Sequence, residues 1–132
     1  MDDVAAEAQE PSRAFGREAR LRCQSHFTMV REQGCSEAGR YCVVNILRPP
    51  PDGTKRAAFC ISRRFSKLAV VRNRARRLFR EVYRELYPKL PPSWLLFIPR
   101  RHIQKAKMQE VLQDATSSLE KLGVVLTREQ PS

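Results

Sequence analysis

From Val70 to Tyr87 the chain reads as a single helix that has to satisfy two different environments at once. At about 100° per residue, Val71, Ala75, Leu78, Phe79, Val82 and Leu86 fall within one arc of roughly 100°, the width of a core-facing stripe. Asn73, Arg76, Arg77, Arg80 and Arg84 fall in the opposite arc, and Arg72 and Arg74 flank it near the start. Such a helix cannot be buried all round. It has to lie across another layer, with its arginines turned away, and Pro88, Pro91 and Pro92 end it.

The elements around it supply that layer. A short helix is expected over His26 to Gln33, with Ser25 as its cap and Gly34 as its left-handed C-terminal residue. Tyr41–Leu47 and Arg56–Ser62 read as strands. The turn signal Pro49-Pro50-Pro51-Asp52-Gly53 between them suggests an antiparallel pair. Trp94–Ile98 reads as a buried strand, and Ile103–Leu122 as a last helix ended by Gly123, with Met108, Val111, Leu112, Ala115 and Leu119 on one stripe. The order is αββαβα, with room for one extra short strand: an α+β fold, helices on a small and mainly antiparallel sheet. Residues 1–18 carry Pro11 and Gly16 without an apolar period and read as a flexible tail, 19–123 as the folded domain and 124–132 as a C-terminal tail.

Charge narrows the partner. With 25 Lys and Arg against 14 Asp and Glu the chain carries +11, a field that attracts nucleic acid, an anionic membrane or an acidic protein. No apolar run reaches the roughly 18 residues of a membrane span, and Met1-Asp2-Asp3 opens no signal peptide, so a cytoplasmic protein without membrane contact is expected. Cys23, Cys35, Cys42 and Cys60 are scattered and read as free, mostly buried thiols; Cys23-x-x-His26 is at most half of a zinc site. His26 and His102 are far apart and the carboxylates form no cluster, so no catalytic residue is expected in the polypeptide.

The arginines themselves favour RNA. A guanidinium presents a planar fork of donors that matches phosphate oxygens in pairs, and it stacks on bases. Arg72 with Arg76, Arg76 with Arg80 and Arg80 with Arg84 repel at i, i+4, each by a few tenths of a kcal/mol, which Glu81 and Glu85 offset only in part. A solvated helix face would alternate its signs, yet no acidic residue stands between Arg72 and Arg80. Asn73 reads either as a capping or surface residue or, among arginines, as an amide oxygen offered to a hydrated cation beside phosphate.

The run Ser62-Arg63-Arg64-Phe65-Ser66-Lys67-Leu68-Ala69-Val70-Val71-Arg72-Asn73-Arg74-Ala75-Arg76-Arg77-Leu78-Phe79-Arg80-Glu81 resembles the signature of the bacterial ribonuclease P protein component. That signature is a Ser with two basic residues, an Ala-Val pair and an R-N-R-x-[KR]-R-x-x-R-E helix. The flanks agree over about residues 20–123: Arg20-Leu21 and Phe27 ahead of Gly34, then the Trp-Leu-Leu-Phe-Ile strand and a final helix. The resemblance implies a small two-layer α/β sandwich with a left-handed β-α-β crossover, an exception to the usual hand. It implies a protein that assists a catalytic RNA in magnesium-dependent removal of the 5′ leader from precursor tRNA. The Mg2+ is then held mainly by the RNA, and no obligate protein partner is expected.

Carried over residue by residue, the resemblance sets Arg63, Arg64, Lys67, Arg72, Asn73, Arg74, Arg76, Arg77 and Arg80 toward RNA, with Asn73 at a metal-linked position. It also implies a cleft between the sheet and the first helix for the single-stranded leader, with Phe27, Arg31 and Tyr41 as its candidates. Two positions depart from the pattern: Ser66 stands where many members have Gly, and Arg31 where a second aromatic is usual. The cleft is therefore expected to rely more on charge and less on stacking. A general RNA-binding or ribosome-associated protein is the alternative reading of the same helix.

Overall fold

A computed structural model describes Leu21 and residues 24–126 of the chain. The expected tail at 1–18, Arg20, Cys23 and residues 127–132 lie outside those described. In chain order the elements are α1 (Gln24–Gln33), β1 (Cys35–Ala38), β2 (Cys42–Leu47), β3 (Arg56–Phe59), α2 (Ala69–Leu86), β4 (Trp94–Pro99) and α3 (Met108–Lys121). Short 3-10 turns at Tyr87–Lys89 and Arg101–Lys105 bracket β4. No described helix is long and apolar enough to cross a membrane.

The four strands lie in the order β1-β2-β4-β3. The extra short strand is β1, which pairs antiparallel with β2. The expected hairpin between β2 and β3 does not form. Instead β4 lies between them, antiparallel to β2 and parallel to β3, so that Trp94 stands opposite both Leu47 and Arg56. The reason is burial. Nearly every residue of β4 is buried, which requires a neighbour on each side and cover on both faces. The proline-rich 48–55 segment does turn, with Gly53 N donating to Pro50 O at 3.2 Å, but the turn sits in a loop long enough to span the roughly 10 Å across one intervening strand. Parallel β3 and β4 then need a crossover, and α2 provides it.

Alternation along the strands divides the core between the two faces of the sheet. Val44 and Ile46, Ala57 and Phe59, and Leu95 and Phe97 pack with Ala75, Phe79, Val82, Tyr83 and Leu86 of α2 and Val111, Ala115 and Leu119 of α3. Phe59, Phe79 and Phe97 meet with ring centroids 5.5–6.0 Å apart, tying α2 to the two parallel strands. On the opposite face Phe27 and Val30 of α1 cover Leu47, Ala58, Trp94 and Leu96. The α+β sandwich expected from the sequence is therefore present, with α1 laid on its second face.

Helix ends differ from the expectations in three places. Ser25 falls inside the first turn of α1 rather than capping it. Gly34 does not have positive φ; among the described residues only Gly53 and Gly123 do. What Gly34 supplies is room, since a Cβ there would run into the carbonyl oxygens of Val30 and Ile46 where α1 presses on β2. The last helix begins at Met108, not Ile103, because Ala106 and Lys107 are extended and Glu110 Oε1 accepts the Lys107 N–H at 2.9 Å. Gly123, at φ +86, ends it as expected.

The close approach at Gly34 gives a direct test. Gly34→Ala should destabilise the fold by about 1–3 kcal/mol, because both neighbours are backbone and cannot swing away. Urea denaturation reads this as a lower midpoint with an unchanged slope. A midpoint equal to the parent's would mean that α1 does not bear on β2 in this way.

Candidate nucleic-acid interface

The arginines of α2 fall into two groups once their partners are placed. Arg74 Nη1 donates to the carbonyls of Ile103 and Gln104 at 3.1 Å each, and its Nη2 donates to Ala106 O at 2.5 Å. Arg72 Nη1 donates to Ser66 O at 2.9 Å, closing the loop ahead of the helix onto its first turn. These two side chains are spent largely on the chain's own backbone. Arg77 is exposed on the outer face, Arg76 and Arg80 are half-buried, and Arg76 Nη1 donates to the exposed Asn73 Oδ1.

The loop that feeds α2 is ordered from within. Phe65 N donates to Ser62 O at 3.1 Å, and Ser66 Oγ accepts the Leu68 N–H at 3.1 Å. Phe65 is partly buried against the core, which leaves Arg63, Arg64 and Lys67 exposed. Leu68, the residue before the first turn, provides no side-chain cap, and that turn carries no acid. The partial positive charge of the helix N-terminus thus adds to Lys67. Within the helix the first acid comes further along, where Glu81 pairs with Arg84 at 3.3 Å.

The three cleft candidates are not brought together. Phe27 is 2% exposed, enclosed by Leu47, Trp94 and Leu96, and offers no ring face to a base. Tyr41 packs against the cluster beneath α2 and α3, away from α1. Only Arg31 stands exposed beside the α1-covered face, where its side chain reaches Cys60. Met29 and Ile98 are partly buried beside α1.

Metal and thiol chemistry find little support among these residues. The described residues hold no group of three or more His, Cys, Asp or Glu that could bind a metal. Asn73 by itself makes no magnesium site, and its amide oxygen accepts from the Arg76 guanidinium, so it could serve a hydrated cation only where RNA supplies the other ligands and draws Arg76 away. Cys35 is exposed, whereas Cys42 and Cys60 are buried. Burial, with Asp114 adding to it, pushes the Cys42 thiol up to about 12. Burial also raises the Cys60 thiol, to about 11, against the opposing pull of Arg31.

Sequence reasoning missed one cationic feature. Arg40, Arg101 and Lys105 converge on a hollow between the β1–β2 turn and the turn that follows β4. Nothing in their spacing could have signalled it, since pairing of distant strands is what brings them together.

The division of the arginines predicts opposite outcomes for two neighbours. Arg74→Ala should lower stability by about 1–2 kcal/mol, the value of a charged donor lost from carbonyls that are part-buried at Ile103 and Ala106 and exposed at Gln104. Arg77→Ala should stay within about 0.5 kcal/mol, as an exposed substitution does. Thermal unfolding of the two variants checks this, and equal melting temperatures would remove Arg74 from its structural role.

Comparison with known proteins agrees with the fold and with the arginine helix. The family model described as Ribonuclease P matches residues 15–123. The ribonuclease P protein component of Symbiobacterium thermophilum is 33% identical over 107 residues, covering 80% of this chain and 92% of that one. That of Thermus oshimai is 36% identical over 105 residues, covering 80% of this chain and 65% of the relative. Among solved structures, the Staphylococcus aureus RNase P protein superposes with a TM-score of 0.71 at 20% identity, over 81% of this chain and 97% of that one. The Thermotoga maritima RNase P protein does so with a TM-score of 0.64 at 23% identity, over 74% and 92%. The match spans both the sheet and the R-N-R helix that crosses it: the chain belongs to the bacterial ribonuclease P protein family, the RNA-binding protein subunits of an endoribonuclease that processes tRNA.

Proposed function

We propose that this subunit does no chemistry itself and assists the ribonuclease P RNA, which performs the hydrolysis, in removing the 5′ leader of precursor tRNA in the cytoplasm. The observation that carries this reading is the outer face of α2, where cations stand opposite the core stripe with no acid before Glu81. Arg63, Arg64, Lys67, Arg76, Arg77 and Arg80 would meet phosphates of the RNA subunit, and Arg72 and Arg74 would hold the loop and helix that present them. Binding then depends on charge neutralisation, so its affinity falls steeply with salt.

The leader would pass beside α1 over Met29 and Ile98, with Arg31, Arg63 and Arg64 at its edges. Phe27 supports that surface from within. The leader is held there by charge and aliphatic contact, not by stacking.

Magnesium belongs chiefly to the RNA in this reading. Asn73 takes part only when Arg76 turns to a phosphate and releases the amide oxygen to a metal-bound water.

Cleavage of precursor tRNA by a bacterial ribonuclease P RNA at low millimolar magnesium, with and without the protein, tests the reading. Correct 5′ ends that appear only with protein support it. Tight, salt-sensitive RNA binding without stimulation of a matched RNA would instead favour a general RNA-binding protein. Within the holoenzyme, Arg77→Ala with Arg80→Ala should flatten the plot of log affinity against log salt by roughly 1.5. Asn73→Ala should raise the magnesium needed for half-maximal cleavage, and an unchanged requirement would count against its role.

A further inference from the structure

A hollow of about 410 Å³ opens between the Gly39–Tyr41 turn and the Arg101–Lys105 turn. Arg40, Arg101 and Lys105 line it, against the single carboxylate of Glu110. That carboxylate is already engaged, because its Oε1 accepts the Lys107 N–H at 2.9 Å. The Arg40 guanidinium carbon lies 5.7 Å from the centroid of the Tyr41 ring. Stacked in this way, a guanidinium keeps its N–H edges available to an acceptor.

Both walls are held rigidly. Asp114 of α3 accepts the backbone N–H groups of Arg40 and Tyr41 at 2.9 Å each. Its carboxylate oxygens stand where a Cβ on Gly39 would be. Arg100 adds two bonds, Nη1 to Gly39 O at 2.6 Å and its backbone N to Tyr41 O at 2.8 Å. The facing wall carries the three carbonyls that Arg74 holds from α2. The hollow is thus continuous with the arginine helix through a shared turn, and its cations come from two separate parts of the chain, Arg40 from one wall and Arg101 and Lys105 from the other.

We infer that this hollow is a second RNA contact, seating the phosphate backbone of the same RNA that α2 binds, with Arg40, Arg101 and Lys105 as donors. The inference rests on the reading of α2 as the primary RNA face. It also gives Tyr41 a role apart from any leader cleft: its ring positions Arg40.

The test uses the full-length protein bound to the ribonuclease P RNA, with a photoreactive benzoylphenylalanine placed at position 77 or at position 104. Crosslinks from both positions, to different nucleotides of that RNA, are expected. A crosslink from 77 alone would overturn the second contact and leave the α2 reading standing, whereas none from either position would remove both. A crosslink from 104 to precursor tRNA only would also overturn the inference.

In parallel, Arg101→Ala with Lys105→Ala should flatten the salt dependence by roughly 1.5 without moving the melting temperature. Lys121→Ala, an exposed cation at the far end of α3, should leave it unchanged. A comparable flattening per charge from Lys121→Ala would mean long-range attraction, not a contact, and would sink the proposal.

Discussion

The guanidinium of Arg74 joins parts of the molecule that would otherwise be independent. Its hold on the carbonyls of Ile103, Gln104 and Ala106 sets the arginine helix against the turn after β4. It also satisfies acceptors that a continuous helix from Ile103 would have satisfied internally. The chain therefore breaks at Ala106 and Lys107, and α3 starts at Met108 with Glu110 as its capping partner. From that start, Asp114 reaches the β1–β2 turn. One side chain of the basic motif thus reaches the far edge of the sheet through two turns and a helix.

A helix that must repel itself on one face needs firm attachment on the other. The i, i+4 arginine pairs oppose helix formation by a few tenths of a kcal/mol each. Burying Phe79 and Tyr83 against Phe97 acts in the other direction, and a buried aromatic side chain is worth about 3–5 kcal/mol by truncation. The core wins by a wide margin, so the face can remain cationic without fraying. The cost of that arrangement falls on the first turn, which has neither an acid nor a capping side chain, and where an arriving phosphate would supply the missing charge.

How far the sequence could be read depended on whether a feature was local. The span of α2 was legible to within a residue at each end, because a 3.6-residue period and a proline stop are written in adjacent positions. Tyr83 escaped the stripe because, at about 100° per residue, it falls roughly 40° outside that arc, and its burial comes from tertiary packing on Phe97. The pairing of β2 and β3 was misread, since a turn signal says that the chain reverses but not which strand enters the gap. Gly34 was correctly placed at a helix end and wrongly explained, because close approach to Ile46 is a tertiary fact. The same limit applied to the site: the basic run was evident, but not which arginines were already bonded to carbonyls.

That last distinction changes how a basic motif should be counted. Each phosphate neutralised contributes about 0.7–0.9 to the slope of log affinity against log salt. A sequence count would enter Arg72, Arg74, Arg76, Arg77 and Arg80 as five equivalent donors. Arg74 already serves three carbonyls and Arg72 serves one, so moving either to a phosphate would strip the fold of bonds it uses. Their charge still raises the local potential, but a contact that must first break an internal bond adds little net affinity. On the proposed reading, the motif's arginine spacing would serve two requirements, anchoring the helix and meeting the RNA, and only the second would register in the salt dependence.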